Sequence, residues 1–485
     1  MKVLFNMRLK TLWAVILFVN VLFFTRCSDD KDSPVALAPE FEWITQLDET
    51  TPFFVIPGQS YQLEYSAQNA NAINIATLPE GWNAQVDETN HSISIQASEN
   101  AVSKITLTVN VQGEGEQKIS SKVDLYCLNS FDDPNGTFVL NEGNMTTENG
   151  SLTYITPEGY VIDDAYKAVN GTELGNVAQD MAFCDGKIYI ISQNGDMNAV
   201  GSHFDNDGML IVVNAKTLKK EIAFSNAELP GIDWASHIAV IDEQHVYIRD
   251  NEGIKHLDMS SKELKFVEGT EQAPKSQFFT RDGKVYTYKP GLISGIIEIT
   301  PEDDSVKKIL FPYTLSCQIN TVLGIKPADD GDIWVMSFGA GKSAISKFNP
   351  TTRETIQRQI SVQPSVGSSG MGFAVKGNTF YYADGTTIYQ MNFNDDPELD
   401  ETSGLDSEEI LCDLNTLDNN AGMLYNNIAV HPKTGQVYIN TIKSYAQFQT
   451  NQIWAFDFNA SKDAPAAKYE NYTNFPAGCY FYPEN

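Results

Sequence analysis

In Ile105-Thr-Leu-Thr-Val-Asn-Val111 every second residue is apolar, the period expected of a strand with one buried face. Similar short runs surround it: Phe53–Ile56, Tyr61–Tyr65, Ile73–Ile75, Ser92–Gln96 and Lys118–Tyr126. Pro57-Gly58 and Pro79-Glu80-Gly81 supply turn chemistry between them. Six or seven short strands within residues 39–129 predict a β-sandwich, with Trp82 in its core.

Beyond residue 133 the pattern changes from single strands to a recurring unit. Asp180-Met-Ala-Phe-Cys-Asp-Gly-Lys-Ile-Tyr-Ile190 is an apolar strand, a tight turn and a second apolar strand. Related units start at His237, Gln277, Val322, Met371 and Asn427, 40 to 57 residues apart. A third strand follows each, as in Gly208–Val213 or Thr387–Met391, and then a more polar fourth such as Lys219–Phe224. Four strands at that period predict propeller blades. Gly136–Leu140 and Ser151–Ile155 look like second and third strands lacking a first, and Ala477–Tyr482 like a first strand lacking the rest. Pairing the two completes a seventh blade and leaves no open sheet edge. The expected fold is therefore all-β: a sandwich at 39–129, then a seven-bladed β-propeller at 133–485 closed by its two ends.

The first 26 residues carry Arg8 and Lys10 ahead of the apolar run Leu12–Phe24, too short to span a bilayer and built like a signal peptide. Residues 27–38 read as an acidic linker. Of 485 residues, 63 are acidic and 33 basic, for a net charge of −30, and removal of residues 1–26 makes it −34. Such a chain repels phosphate backbones, so no nucleic-acid partner is expected. Besides Cys27, the five cysteines (Cys127, Cys184, Cys317, Cys412 and Cys479) are widely spaced with no Cys-x-x-Cys pair. That excludes a thiolate zinc site and a disulfide scaffold; Cys184 and Cys479, inside apolar strand patterns, read as buried free thiols.

In a propeller the second-to-third and fourth-to-first loops share a face. Here they are the long ones: Asn141–Gly150, Ser192–Gly208, Lys289–Gly295, Ser337–Ser343 and Thr441–Asn451. The opposite turns are short, as in Cys-Asp-Gly-Lys and Arg-Asp-Gly-Lys. Ligand sites favour long loops on rigid scaffolds, and aromatics among amides suit an amphipathic ligand. The candidate ligand-binding residues are Asn194, His203, Phe204, Asp233, Trp234, His237, Lys275, Gln277, Lys342, Tyr425, Asn426 and Tyr445. The inner strands begin with Asp180, His237, Gln277, Val322, Met371 and Asn427, mostly polar, as a water-filled channel would require. No catalytic motif is found: there is no Gly-x-Ser-x-Gly, His-Glu-x-x-His or phosphate loop. His245, His256 and His431 read as structural. No catalytic residue, metal or cofactor is assigned.

Four features carry a family resemblance. Cys27 after the apolar run resembles a lipoprotein lipidation site, and Ser28-Asp-Asp-Lys-Asp32 resembles the surface-export tag of Bacteroidetes lipoproteins. Leu78-Pro-Glu-Gly-Trp82 with Ser92–Ala97 resembles bacterial Ig-like or PKD-like modules. Gly136-Thr-Phe-Val-Leu-Asn-Glu-Gly-Asn144, the Asp-Gly-Lys turns and Asn474-Phe-Pro-Ala-Gly478 resemble the YncE-like propellers of Bacteroidetes surface lipoproteins. One branch of these captures cobalamin and passes it to a TonB-dependent transporter. The resemblance implies a lipid-anchored outer-membrane protein facing outward, binding a small nutrient, with a corrinoid as first candidate. The alternative is a non-catalytic propeller contacting proteins or glycans. Calcium-dependent lactonase propellers are similar in the polar starts of their inner strands, which leaves a metal-dependent hydrolase as a further alternative.

Overall fold

The computed structural model describes residues 37–484, except 49, 204, 290–293, 312–320, 364–365, 368–369 and 372. The leader, Cys27 and most of the acidic linker lie outside these residues, as do Phe204 and Cys317.

The alternating runs of the N-terminal part form two four-stranded sheets. One orders Glu40–Trp43, Ser60–Gln68, Ser92–Ala97 and Trp82–Asp87; the other orders Phe53–Val55, Lys118–Cys127, Lys104–Gln112 and Ala72–Ile75. The apolar positions Leu63, Tyr65, Ile93, Ile95, Leu107, Val109 and Leu125 meet in one shared core. Trp82 is buried there and donates its indole N–H to Val102 O at 2.9 Å, so it is a core residue as its pattern predicts.

From Thr137 onward, the described residues form seven further sheets of four or more strands, six of them from consecutive segments. Their innermost strands include Asn176–Cys184, His237–Asp242, Phe279–Arg281, Thr321–Pro327 and Phe373–Lys376. The remaining sheet joins both ends of the chain: Pro476–Tyr480 pairs antiparallel with Thr137–Asn141, which pairs with Ser151–Ile155. Loop hydrogen bonds extend this closure, from Glu142 N to Phe475 O at 2.8 Å and from Gly143 N to Asn474 O at 3.0 Å. Gly136 precedes the junction for a steric reason: a Cβ there would sit 2.2 Å from Tyr154 Oη. Neighbouring sheets pack through separate apolar clusters, for instance Ile238, Val240 and Ile248 against Leu210, Val212 and Phe224.

The two parts are joined by a continuous apolar cluster. Ile56, Tyr126, Leu128 and Phe131 pack with Phe138, Leu140, Tyr154 and Tyr166. Phe131 N donates to Lys216 O at 2.9 Å, Tyr126 Oη to Glu158 at 2.7 Å and Lys104 Nζ to Tyr160 Oη at 2.6 Å. A bonded, buried junction of this kind holds the leading sheets against the rest.

One expected loop is absent. The segment Ser337–Ser343 is not a long loop: Ile333–Gly339 and Lys342–Phe348 pair through Gly339 and Lys342, with only Ala340-Gly341 between them. Gly341 takes a φ of +77°, which a tight hairpin turn requires and glycine permits.

Candidate ligand-binding mouth

Antiparallel strands alternate direction, so all second-to-third and fourth-to-first connections emerge at one end of the ring. Near the axis at that end, polar side chains from several sheets converge. Glu142, just past the Thr137–Asn141 strand, accepts from Asn426 Nδ2 and from Tyr425 Oη, each at 3.3 Å. Burial pushes its carboxyl up, opposed by Asn426, the charge of Lys275, Tyr425 and Gln179. Asn426 occupies the left-handed region (φ +60°), where asparagine is tolerated, and its Nδ2 also donates to Pro476 O at 2.8 Å.

His237 opens its strand opposite Arg249 in register. Only 3% exposed, it is pushed down to about 3 by burial, with the charges of Lys275 and Arg249 adding to the effect. The imidazole is thus neutral, and among the described residues its Nδ1 has no hydrogen-bond partner. Arg249 donates Nε to Ala273 O at 3.1 Å and Nη1 to Ser236 Oγ at 3.2 Å. Burial lowers both Arg249 and Lys275, and Glu142 partly restores the latter. Neither cation has a salt bridge to a carboxylate among the described residues. Gln179 Oε1 and Asn427 Oδ1 are likewise buried without a partner. Each such group forgoes hydration worth about 1–3 kcal/mol unless something bonds to it.

Aromatic rings form one wall of this mouth. Phe475 stacks on Phe448 at 4.3 Å between centroids and lies 5.3 Å from Tyr425. Tyr445, on the short 3-10 turn Tyr445–Gln447, is 58% exposed and 6.2 Å from Tyr425. An apolar wall beside uncovered cations and amides can take a flat, partly apolar molecule bearing an anionic group.

Five of the residues singled out from the sequence meet here: His237, Lys275, Tyr425, Asn426 and Tyr445. Gln277 lies deeper, its Nε2 donating to Asp180 at 3.2 Å. Asn194, His203, Asp233, Trp234 and Lys342 do not join them, and Phe204 lies outside the described residues. Asn194 braces its own loop, donating to Asn176 at 2.7 Å and accepting from Asn226 at 3.0 Å. Asp233 accepts from Asn251 at 3.1 Å on an outer turn, and Trp234 beside it is 53% exposed. His203 is exposed on the rim, and Lys342 is exposed on its tight hairpin.

Glu142, Gln179 and Arg249 were missed. Glu142 stands inside the quoted Gly136–Asn144 segment, and Arg249 is recoverable only from its register with His237. The inner-strand starts also differ from a water-filled lining. Asp180 is buried and accepts from Tyr480 Oη at 2.8 Å, Gln277 and Ile238 N, while Val322 packs into an apolar cluster. The side chain of Met371 lies outside the described residues. His245 and His256 are bonded to Asp242 and Asp304, and His431 Nδ1 accepts from Lys433 N and Thr434 N. Cys127, Cys184, Cys412 and Cys479 are free. Among the described residues no three His, Cys, Asp or Glu side chains converge as metal ligands.

Successive four-stranded sheets, closed by pairing of the two chain ends, define an all-β protein with a β-propeller fold. Residues 135–482 match the family described as a domain of unknown function, DUF5074, and the chain belongs to that family. No curated protein matches the chain. Among solved structures it is similar to a quinonprotein alcohol dehydrogenase-like protein from Bacteroides thetaiotaomicron, at 14% identity and a TM-score of 0.52 over 91% of this chain and 99% of that one. It is also similar to a structural-genomics protein of unknown function from the same organism, at 10% identity and a TM-score of 0.30, covering 73% and 96% of the two chains. The first likeness supports the fold.

Proposed function

We propose that the chain is a surface lipoprotein, anchored in the outer membrane through Cys27, whose seven-bladed propeller captures a small nutrient at the mouth around His237 and Lys275. The Ig-like sandwich at 39–129 serves as its stalk, and a TonB-dependent transporter receives the ligand. The carrying observation is the set of buried atoms without hydrogen-bond partners among the described residues (His237 Nδ1, Gln179 Oε1 and Asn427 Oδ1), with Lys275 and Arg249 close enough to act on His237 and neither forming a salt bridge among those residues. A ligand that bonds to these groups recovers what folding leaves unsatisfied, and the rigid sheets limit the ordering cost of binding. A corrinoid fits this description, with a flat macrocycle for Tyr425, Tyr445 and Phe475 and a phosphodiester for Lys275 and Arg249; the resemblance to the YncE-like propellers points the same way.

The test is titration calorimetry with cobalamins, read beside the visible spectrum of the corrin. Binding by the native protein, weakened at least tenfold in Lys275→Met and Tyr445→Ala, supports the proposal. The absence of heat and of spectral change removes the corrinoid. One observation favours a second reading, contact with another protein: Met145, Met197, Val200, Trp234 and Tyr445 are all exposed on loops of this same face.

A further inference from the structure

Side chains from several sheets form a hydrogen-bonded crossbar around Asp180. Asp180 from one inner strand receives Tyr480 Oη from the closing strand at 2.8 Å, Gln277 Nε2 at 3.2 Å and Ile238 N at 3.1 Å. Four sheets thus meet on one carboxylate, whose acceptors are largely occupied. Adjoining this crossbar is a cavity of about 250 Å³. It extends along the inner strands toward exposed Thr280 and Pro327, near the short turns, so it opens on the face opposite the long loops. Met181, Ile238, Phe278 and Ile325 line it, and Lys326 is the cation in its wall.

In a chain with 63 acidic residues, lysines readily find carboxylates, as Lys187 does with Glu221 and Glu243. Among the described residues Lys326 Nζ has no hydrogen bond and no salt bridge, and it lies 5.6 Å from the centroid of the Phe373 ring. Asp180 lies close enough to favour the charged ammonium, but burial outweighs it and the lysine is held below its ordinary value. A confined cation that forms no salt bridge among the described residues, beside the apolar side chains of Met181, Ile238, Phe278 and Ile325 and facing an Asp180 whose acceptors the crossbar already occupies, favours an anion that brings its own apolar surface.

We propose that this chamber is a second ligand site, distinct from the mouth, which binds a small organic carboxylate through Lys326. The cavity lies just under the ~300–1,000 Å³ of ordinary small-molecule pockets, which limits the ligand to a short chain. A single point-charge donor suits a monoanion better than phosphate, which recruits several donors or an arginine fork. The acyl chain lies against Phe278, Ile238 and Ile325, and the carboxylate takes the Lys326 ammonium.

Butyrate is the probe, titrated into the full-length protein by calorimetry. Native protein and Lys275→Met should bind it equally, because the mouth is not involved, and Lys326→Met should bind it at least tenfold more weakly while melting as a folded protein. Crystals of the native protein soaked in 4-bromobutyrate give an independent readout, with anomalous bromine density expected in the chamber within reach of Lys326. Equal affinity in Lys326→Met, no binding by the native protein, or bromine only outside the chamber would overturn the proposal. None of these results bears on cobalamin binding at the mouth, so the two proposals stand or fall separately.

Discussion

His237 shows what a single buried side chain asks of the protein around it. Its pKa is pushed down from 6.5 to about 3, so between those values the unfolded chain takes up a proton that the folded chain refuses. Stability contributed at this site is therefore full above pH 6.5 and falls as the pH is lowered toward 3. Across that window the slope approaches about 1.4 kcal/mol per pH unit. His237→Gln removes the titration, so the native protein should lose stability relative to the variant as pH drops from 7 to 4. Urea unfolding of both proteins across that range checks this, and parallel curves would contradict it. Asp180, raised to about 6 chiefly by burial, has the opposite sign: its native form binds the extra proton between its ordinary value and pH 6. The comparison must therefore be made variant against native, where the Asp180 contribution cancels.

At the scale of elements, closure depends on the five-residue strand Pro476–Tyr480. It covers the edge of Thr137–Asn141 and carries Tyr480, whose hydroxyl reaches Asp180 across the axis. Tyr480→Phe leaves a buried carboxylate short of a donor, a cost of about 1–3 kcal/mol. Ending the chain at Phe475 uncovers a whole strand edge, and the expected result is association through that edge. Size-exclusion chromatography with thermal melting distinguishes the two: a monomer of lowered melting temperature for the substitution, oligomers for the truncation. This pairing was legible in the sequence because both half-units are apolar with a period a sheet requires, and neither has a local partner. The Ser337–Ser343 hairpin was not, since Gly339-Ala-Gly341-Lys342 suits a loop as well as a two-residue turn until the register of the flanking strands is known. The mouth was half legible for a related reason. Residues that begin strands, such as His237, announce themselves by position. Glu142, Gln179 and Arg249 reach the mouth only because sheets far apart in sequence are brought side by side.

At the scale of the whole molecule, the question is whether the leading sandwich moves freely or is part of one body. Phe131 decides it. The ring is 1% exposed, lies 5.0 Å from Tyr154 across the junction and belongs to a cluster drawn from both parts of the chain. Its backbone N–H is bonded to Lys216 O on a turn of the following sheet. A junction with that much buried apolar surface couples the unfolding of the two parts, so the native protein should melt in one calorimetric transition. Phe131→Ala leaves a cavity costing about 3–5 kcal/mol, taken from the junction rather than from either separate core. The expected consequence is two transitions instead of one, with the sandwich core around Leu63, Ile93 and Leu107 retained as its own unit. Two transitions already present in the native protein would mean the junction is too weak to transmit position. The proposed function, in which the sandwich is a stalk aiming the mouth toward a transporter, requires a single transition, because a freely swivelling sandwich could not orient the mouth at all.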